Sequence, residues 1–354
     1  MTRRELLLTL PLPALTAGER TSASLLSYRD KAGRSRPVRN ERDWRKRVRQ
    51  VQAAMQEVMG PLPAATPGAP AVTILGEEDG GTYLRRRIDY MAEDGDRVSA
   101  FLLLPKSRSG RAPAVLCLHQ TVRIGKAEPA GLGGSPHLHY AQELAQRGYV
   151  ALAPDYPNFG DYHFDPYQHG YLSATMKGIR NHRRAVDLLV ALPEVASGRL
   201  AVMGHSLGGH NSLFVAAFEP RLRAVVTSCG FTSFARYYGG NLTGWSHRGY
   251  MPRIASVYQK SPARMPFDFP ELLAALAPRP VFVNAPLNDS NFDVSGVRDC
   301  VQAAREVYQR VFHDGDHLVA VHPDSAHDFP DAVRLQAYDF LDRWLGQTPK
   351  PRPR

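Results

Sequence analysis

Residues 200–209 read LAVMGHSLGG. The apolar run Leu200–Met203 is typical of a buried strand, and Gly204 to Gly208 match the G-x-S-x-G pattern of a nucleophile elbow. A serine hydroxyl attacks only when it is exposed, lies beside a base and has donors nearby for the oxyanion that it creates. A sharp turn from strand to helix exposes the serine, and the helix N-terminus directs its amides at the developing negative charge. The motif therefore predicts that Ser206 is a nucleophile.

The chain around this motif alternates short apolar runs with amphipathic stretches, as expected for strands that helices cover on both faces. The predicted strands are Ala114–Leu118, Val150–Ala153, Leu200–Met203, Ala224–Thr227, Val281–Asn284 and Leu318–Val321. The predicted helices include Ala174–Leu192 and Gly296–Val311. Two further strands flank the turn Asp94-Gly95-Asp96. We therefore expect an α/β fold, with a doubly wound, mostly parallel sheet and an antiparallel hairpin at its N-terminal side.

A base and an acid are expected after the last two strands. His327 follows the final strand, and Asp289 follows the strand before it. A carboxylate next to the histidine fixes the tautomer of its ring and stabilises the imidazolium. Asp293 is the alternative acid, but it lies close to the next helix, where a carboxylate is often only an N-terminal charge. The predicted triad is therefore Ser206, Asp289 and His327, in an order that differs from the chymotrypsin-like and subtilisin-like orders.

An oxyanion hole takes one amide from the residue after the nucleophile and one from the loop after an early strand. The first of these residues is Leu207. The second loop begins His119-Gln120-Thr121, in which we assign the donor to Thr121, with Gln120 as the less favoured candidate.

Aromatic residues cluster in two segments that are candidates for substrate contact. One is the long insertion from Tyr237 to Tyr258, and the other runs from Tyr156 to Tyr171. Aromatic planes with polar tips suit stacking on sugars or aromatic acyl groups, although they can equally pack a lid on the domain. Arg248 is a candidate partner for a substrate carboxylate, or else a surface arginine. The candidate contacts are Gln120, Phe159, Trp245, Arg248 and Tyr250.

Composition excludes several function classes. The 354 residues carry a net charge of +10, but residues 1–50 hold 13 Lys/Arg against 5 Asp/Glu and the last five residues add 3 basic ones. The body is close to neutral, so no nucleic-acid partner is predicted. No apolar run is long enough to span a membrane. The three distant cysteines form neither a disulfide framework nor a metal cluster, and the pairs His313/His317 and His137/His139 lack the context of a metal site, so no metal is predicted.

The two ends of the chain are predicted to lie outside the catalytic domain. Residues 1–22, with Arg3-Arg4 before an apolar stretch, resemble a twin-arginine signal peptide, which predicts a periplasmic or secreted protein; a basic N-terminus of a cytoplasmic protein is the alternative. Residues 23–81 form a basic extension with one helix, in which Trp44, Val48, Val51, Met55 and Val58 share a face, and a Pro/Gly linker. The catalytic domain spans residues 82–347, and residues 348–354 are a basic tail.

The residues that carry chemistry resemble those of α/β-hydrolases of the dienelactone hydrolase and acetyl xylan esterase-like group. The resemblance covers about Thr82 to Leu345 and rests on five segments: Leu118-His119-Gln120-Thr121, Asp155 to Gly160, the Ser206 elbow, Asp289, and His327-Asp328-Phe329-Pro330. It implies a serine esterase that needs no cofactor, acting through an acyl-enzyme on a small-molecule or carbohydrate ester, with a lid built from the insertion. Gln120 departs from the usual glycine.

Two other functions are compatible with these motifs. A peptidase of the prolyl-oligopeptidase type shares the triad, although the 80 or so residues before the core do not predict a propeller domain. A binding protein that retains the triad without turnover is the non-enzymatic alternative, but all three triad positions are filled.

Overall fold

The computed structural model describes residues 25–107 and 110–348. The predicted signal peptide and nearly all of the basic tail lie outside these residues. Within them, no helix combines the length and the apolar character that crossing a membrane requires.

A sheet of nine strands forms the centre of the molecule, with a separate two-stranded hairpin before it. The hairpin pairs β1 (Ser27–Arg29) with β2 (Ser35–Pro37). The strands of the main sheet are β3 (Val72–Asp79), β4 (Tyr83–Glu93), β5 (Asp96–Pro105), β6 (Ala112–Leu118), β7 (Val150–Pro154), β8 (Val195–His205), β9 (Leu222–Ser228), β10 (Val281–Asn284) and β11 (Leu318–Val321). Their order is β11-β10-β9-β8-β6-β7-β5-β4-β3. The strands from β6 to β11 are parallel, whereas β3, β4 and β5 are antiparallel.

Helices cover the sheet on both faces. They are α1 (Glu41–Met59), α2 (Tyr140–Gln146), α3 (Ala174–Ala191), α4 (Leu207–Phe218), α5 (Arg253–Ser256), α6 (Phe269–Ala275), α7 (Val294–Val307) and α8 (Asp331–Leu345). Strand β6 is apolar throughout because both of its faces are buried. Ala114, Leu116 and Leu118 belong to the core that α1, α3, α4, α6 and α7 cover. Val115 and Cys117 belong to the core on the other face, which α2 and α8 cover. The predicted doubly wound sheet is thus confirmed.

The N-terminal extension packs on this domain through helix α1. Its predicted apolar face is buried, with Trp44 and Met55 at most 1% exposed. The side chain of Gln52 donates to the Ala217 carbonyl (2.6 Å), and Arg47 pairs with the buried carboxylate of Glu271 (3.2 Å). These contacts hold α1 against the ends of α4 and α6.

The sheet begins earlier than the boundary at residue 82 that the sequence indicates. Strand β3 pairs with β4 along its whole length, so the segment from Val72 belongs to the sheet. All eight residues of β3 are exposed, and the strand lies at the edge of the sheet. Its apolar residues Val72, Ile74 and Leu75 are themselves exposed, so the strand has no buried face that its sequence could reveal.

Candidate active site

Ser206 lies in a strained turn between β8 and α4. Its backbone has φ 54° and ψ −117°, a left-handed conformation that is uncommon for a residue with a side chain. The amide of Ser206 donates to the Ser228 carbonyl at the end of β9 (2.8 Å), which helps to hold the turn in place. The nucleophile elbow expected from the sequence is therefore present as a backbone conformation.

The glycines of the elbow allow the first turn of α4 to approach strand β6. A Cβ atom at residue 208 would lie 1.8 Å from the Leu118 carbonyl oxygen, and a Cβ atom at residue 204 would lie 2.3 Å from the backbone of Gly208. The backbone of α4 therefore passes directly over the end of β6, next to the carbonyl groups of Leu118 and His119.

We expect Gly208→Ala to destabilise the fold by at least about 1–3 kcal/mol, because the added methyl group meets backbone that a rotamer change cannot move. The midpoint of thermal unfolding measures this effect. Gly198→Ala is the matched control, since it lies in the strand that leads to the elbow and a Cβ atom there has open space around it. Equal midpoints for the two variants would contradict the packing described here.

His327 and Asp289 form a hydrogen-bonded pair beyond the ends of β11 and β10. The Nδ1 atom of His327 lies 3.0 and 2.9 Å from the two carboxylate oxygens of Asp289. The Asp289 side chain is 1% exposed and also accepts the amides of Asn291 (2.8 Å) and Phe292 (3.2 Å). Burial raises the pKa of Asp289, but the hydrogen bond and charge of His327, together with these amides, outweigh it and lower the pKa overall. Asp289 is therefore an anion that can hold a proton on Nδ1 of His327.

Asp293 has a different role in the same loop. Its carboxylate accepts the amide (2.7 Å) and the hydroxyl (2.6 Å) of Ser295 and caps the N-terminus of α7. These hydrogen bonds account for its lowered pKa. The carboxylate that contacts His327 is thus that of Asp289.

A buried network of polar side chains lies next to His327, at the ends of β8, β9 and β10. The ring of His205, the residue before Ser206, is 4.9 Å from the ring of His327. Its Nδ1 atom bonds the Ser228 hydroxyl (2.8 Å), which also accepts the side-chain amide of Asn284 (2.9 Å). Asn284 donates in addition to the Asp328 carbonyl (2.9 Å) and so ties the histidine loop to β10. Burial and the neighbouring His327 lower the pKa of His205 to about 3, so this ring is neutral.

The loop after β6 is held by His119 on the other side of Ser206. Its Nδ1–H donates to the Gln120 carbonyl (2.6 Å), and Nε2 accepts the amide of Tyr156 (3.0 Å). The Gln120 side chain, which was predicted to contact the substrate, instead donates a hydrogen bond to Glu128 (3.1 Å). Thr121 is exposed next to this anchored segment, and its hydroxyl interacts with Tyr250.

The segment from Asp155 to Gly160 is shaped by a buried ion pair. Asp155 accepts the amide (2.8 Å) and the ammonium group (2.6 Å) of Lys126 and the amide of Asp161 (2.9 Å). A Cβ atom at residue 160 would lie 2.2 Å from the Asp155 carboxylate, so only glycine fits there. The ring of Phe159 packs against His119, with 5.3 Å between the centroids.

Aromatic rings of the insertion between Tyr237 and Tyr258 reach His327 through Phe292, which lies outside the insertion. Phe292 lies 5.8 Å from the His327 ring and 5.9 Å from Trp245, measured between centroids. Trp245 is buried and packs in turn on Tyr250, which lies against the small cluster of Tyr156, Ala174 and Leu207. Of the predicted contacts, Trp245 and Tyr250 thus belong to an aromatic wall that ends at Phe292 beside His327.

Arg248 is bound at the exposed outer side of this insertion. Its guanidinium group lies over the ring of Tyr167, 4.0 Å from the centroid, and pairs with Asp165 (3.2 Å). The Tyr167 hydroxyl donates to the Arg248 carbonyl (2.5 Å). Arg248 therefore connects the two aromatic segments. Of the two roles that the sequence left open, that of a surface arginine fits these contacts better than pairing with a substrate carboxylate.

The chain has clear relatives among known proteins. The family model described as "Prolyl oligopeptidase family" matches residues 136–350, which is more than half of the chain. The chain belongs to the prolyl oligopeptidase family. The matched span contains the elbow of Ser206 as well as Asp289 and His327. YtaP of Bacillus subtilis (strain 168), named as a hydrolase, is 25% identical over 71% of this chain and 84% of its own length.

Solved structures of other proteins, at lower sequence identity, have the same fold as this prolyl oligopeptidase family member. A glucuronoyl esterase from Solibacter usitatus superposes with a TM-score of 0.71 and 18% identity, covering 94% of this chain and 98% of that chain. A structure described as an acetyl xylan esterase from Bacteroides fragilis gives a TM-score of 0.62 and 19% identity over 85% and 83%. The resemblance to α/β-hydrolase esterases that the sequence indicates is confirmed.

One turn after Ser206, helix α4 of this family member carries a histidine that sequence reasoning did not single out. His210 is fully buried, and neither ring nitrogen has a partner among the described residues. Its ring is stacked on Phe214 and lies 4.7 Å from Trp245. Burial lowers the pKa of His210 to about 3. Burial is also the largest cause of the lowered pKa, again about 3, of His205 and of His182.

These histidines predict a loss of stability in acid. Their pKa values are lower in the folded than in the unfolded chain, so the unfolded state binds more protons between pH 6.5 and about 3, and the free energy of unfolding falls as the pH drops through this window. His210→Phe should reduce that slope by up to about 1.4 kcal/mol per pH unit, measured by urea unfolding. The exposed His163→Phe is the control; equal slopes for His210→Phe and wild type would refute the prediction.

Proposed function

We propose that this protein is a serine hydrolase that cleaves carboxylic esters through an acyl-enzyme, with Ser206 as the nucleophile, His327 as the base and Asp289 as its partner. The observation that carries the proposal is the buried, ionised Asp289 bound to Nδ1 of His327, whose ring packs on the residue before a strained Ser206. The relatives support ester hydrolysis, because the structural neighbours named above are esterases.

The reaction would run in two matched halves. The Ser206 hydroxyl attacks the ester carbonyl and passes its proton to Nε2 of His327, while Asp289 stabilises the imidazolium. The amides of Leu207, at the start of α4, and of Thr121 donate hydrogen bonds to the oxyanion. Collapse of the tetrahedral intermediate expels the alcohol, which takes the proton from Nε2. Water then attacks the acyl-enzyme by the same route and releases the acid and free Ser206.

We further propose that the substrate is a carbohydrate or aromatic ester. The half-buried rings of Phe159 and Tyr250, which pack on the cluster that contains Leu207, offer flat faces near the elbow of Ser206, and such faces suit a ring more than a flexible alkyl chain. The names of the neighbours, a glucuronoyl esterase and an acetyl xylan esterase, point to the same class of substrate.

Short acyl esters should therefore be hydrolysed faster than long ones. We expect kcat/KM for p-nitrophenyl acetate to exceed that for the decanoate by at least about tenfold, because flat aromatic faces suit a compact ester better than a long flexible acyl chain. Initial rates along a series of acyl lengths measure this preference. A maximum at the decanoate would instead indicate a lipase.

A turnover screen distinguishes esterase activity from peptidase activity. The name of the family favours the peptidase. The purified chain is assayed on p-nitrophenyl esters, acetylated xylan, glucuronate esters and prolyl dipeptide amides. Hydrolysis of esters with amides unchanged supports the proposal, whereas faster cleavage of the amides would overturn it in favour of the peptidase. Absence of both, in a protein shown to be folded, would favour a binding protein.

A further inference from the structure

A buried thiol lies beside the proposed acid and base. Cys229 follows β9 directly, is 2% exposed, and is held by a hydrogen bond from its amide to the Asn284 carbonyl (2.9 Å). Its Sγ atom, a carboxylate oxygen of Asp289 and a ring nitrogen of His327 all lie within 4.8 Å of one another. In residues 25–107 and 110–348, no other group of three or more such donors lies this close together.

We propose that Cys229, Asp289 and His327 bind a thiophilic divalent cation of the Zn²⁺ type, and that this binding inhibits the enzyme. The inhibition rests on the function proposed above, whereas the binding does not. Thiolate, imidazole and carboxylate are the three protein ligands that Zn²⁺ prefers. The charges also balance, because a thiolate and a carboxylate together neutralise the cation, so no net charge is buried.

Binding replaces the hydrogen bond from the Cys229 thiol to the Asp328 carbonyl (3.4 Å) and the one between Nδ1 of His327 and Asp289. The Cys229 thiol forms its bond to the metal and releases one proton to water, and the proton on Nδ1 of His327 moves to Nε2 while Nδ1 becomes a ligand. Tetrahedral zinc ligands lie roughly 3.3–3.8 Å apart, so the side chains need to move by about 1 Å.

This rearrangement explains the inhibition. With the metal on Nδ1, the proton on Nε2 leaves His327 unable to accept the proton of the Ser206 hydroxyl. Asp289 is also taken from its role as partner of the imidazolium. A single ion would therefore remove the base and the acid together, without touching Ser206.

Cadmium provides a direct test of the site, because a cadmium–thiolate bond has its own ultraviolet charge-transfer band. The full chain is titrated with Cd²⁺ as wild type, Cys229→Ala and Cys229→Ser, with Cys117→Ala and Cys300→Ala as controls. The control cysteines are also buried but lie outside the group. We expect the band in the wild type and both controls, and its loss in both Cys229 variants. A band that persists without Cys229, or no band in the wild type, would overturn the site.

Inhibition is measured separately, with Zn²⁺ against ester hydrolysis and each variant referred to its own rate in the presence of a chelator. We expect Zn²⁺ to inhibit Cys229→Ala at least about tenfold more weakly than the wild type. Equal inhibition of the two would overturn the inhibitory role. If the wild type hydrolyses no ester, the proposed function fails, and the cadmium band still decides the site.

Discussion

Replacing Ser206 with alanine is expected to lower kcat for ester hydrolysis by at least about 10³-fold, a loss of about 4 kcal/mol of transition-state stabilisation. Without the Oγ atom no acyl-enzyme can form, and only the oxyanion donors and substrate binding remain to assist attack by water. Steady-state turnover of p-nitrophenyl acetate measures the effect. The strained backbone at residue 206 is no harder for alanine than for serine, so the variant should keep the fold.

Ser212→Ala is the matched control for this variant. Ser212 lies in the same helix, fully buried, and its hydroxyl donates to the Gly208 carbonyl (2.8 Å). We expect its kcat to stay within about threefold of the wild type, because the substitution removes a buried hydroxyl from the helix and no group of the proposed triad. If the two variants lose turnover equally, the loss reflects a disturbed helix α4 and the role assigned to Ser206 is wrong.

Replacing Asp289 with asparagine is expected to lower kcat by about 10²- to 10⁴-fold while the fold is kept. An amide group facing Nδ1 of His327 can donate to it, which favours the tautomer with the proton on Nε2, and that tautomer cannot accept the proton of Ser206. The imidazolium would also lose its anionic partner, which now lies 2.9 Å from Nδ1. Steady-state kinetics, with circular dichroism as a check of folding, measure the loss.

Asp293→Asn is the control within the same loop. Asparagine is as good an N-cap as aspartate, so α7 should keep its cap and kcat should change by less than about fivefold. The opposite order of the two variants would assign the acid to Asp293 and refute the role given to Asp289.

The central strands could be predicted because they are covered on both faces. Val281–Asn284, whose four residues are all buried, forms a strand with the bounds that its apolar run indicates. Helix α3 likewise begins at Ala174, where Ser173 caps it, and ends one residue before the predicted end. Strand β3 escaped prediction because pairing with β4, and not burial, holds it in the sheet.

The network behind His327 could not be predicted, because it depends on the register between strands that are distant in sequence. His205 pairs with Ser228 across β8 and β9, and Ser228 pairs with Asn284 across β9 and β10. The three side chains therefore meet at the same edge of the sheet, with Cys229 next to them. Chain order indicated Ser206, Asp289 and His327, whereas strand register alone brings these neighbours together.

The polar substrate contacts were the least predictable part of the site. Gln120 bonds Glu128, and Arg248 pairs with Asp165. Both acidic partners come from loops whose paths are set by tertiary packing, such as the ion pair of Lys126 with Asp155. A polar side chain in such a loop cannot be assigned to a substrate until its neighbours are known.

The most direct test of the proposed acyl-enzyme is to map the residue that a fluorophosphonate labels in the wild-type chain, by mass spectrometry of its peptides. A serine activated by a histidine and facing oxyanion donors reacts with this reagent, whereas ordinary serines do not. We predict a single adduct, on Ser206, that appears in step with the loss of ester hydrolysis. An adduct on another residue, or complete loss of hydrolysis with Ser206 unlabelled, would contradict the mechanism.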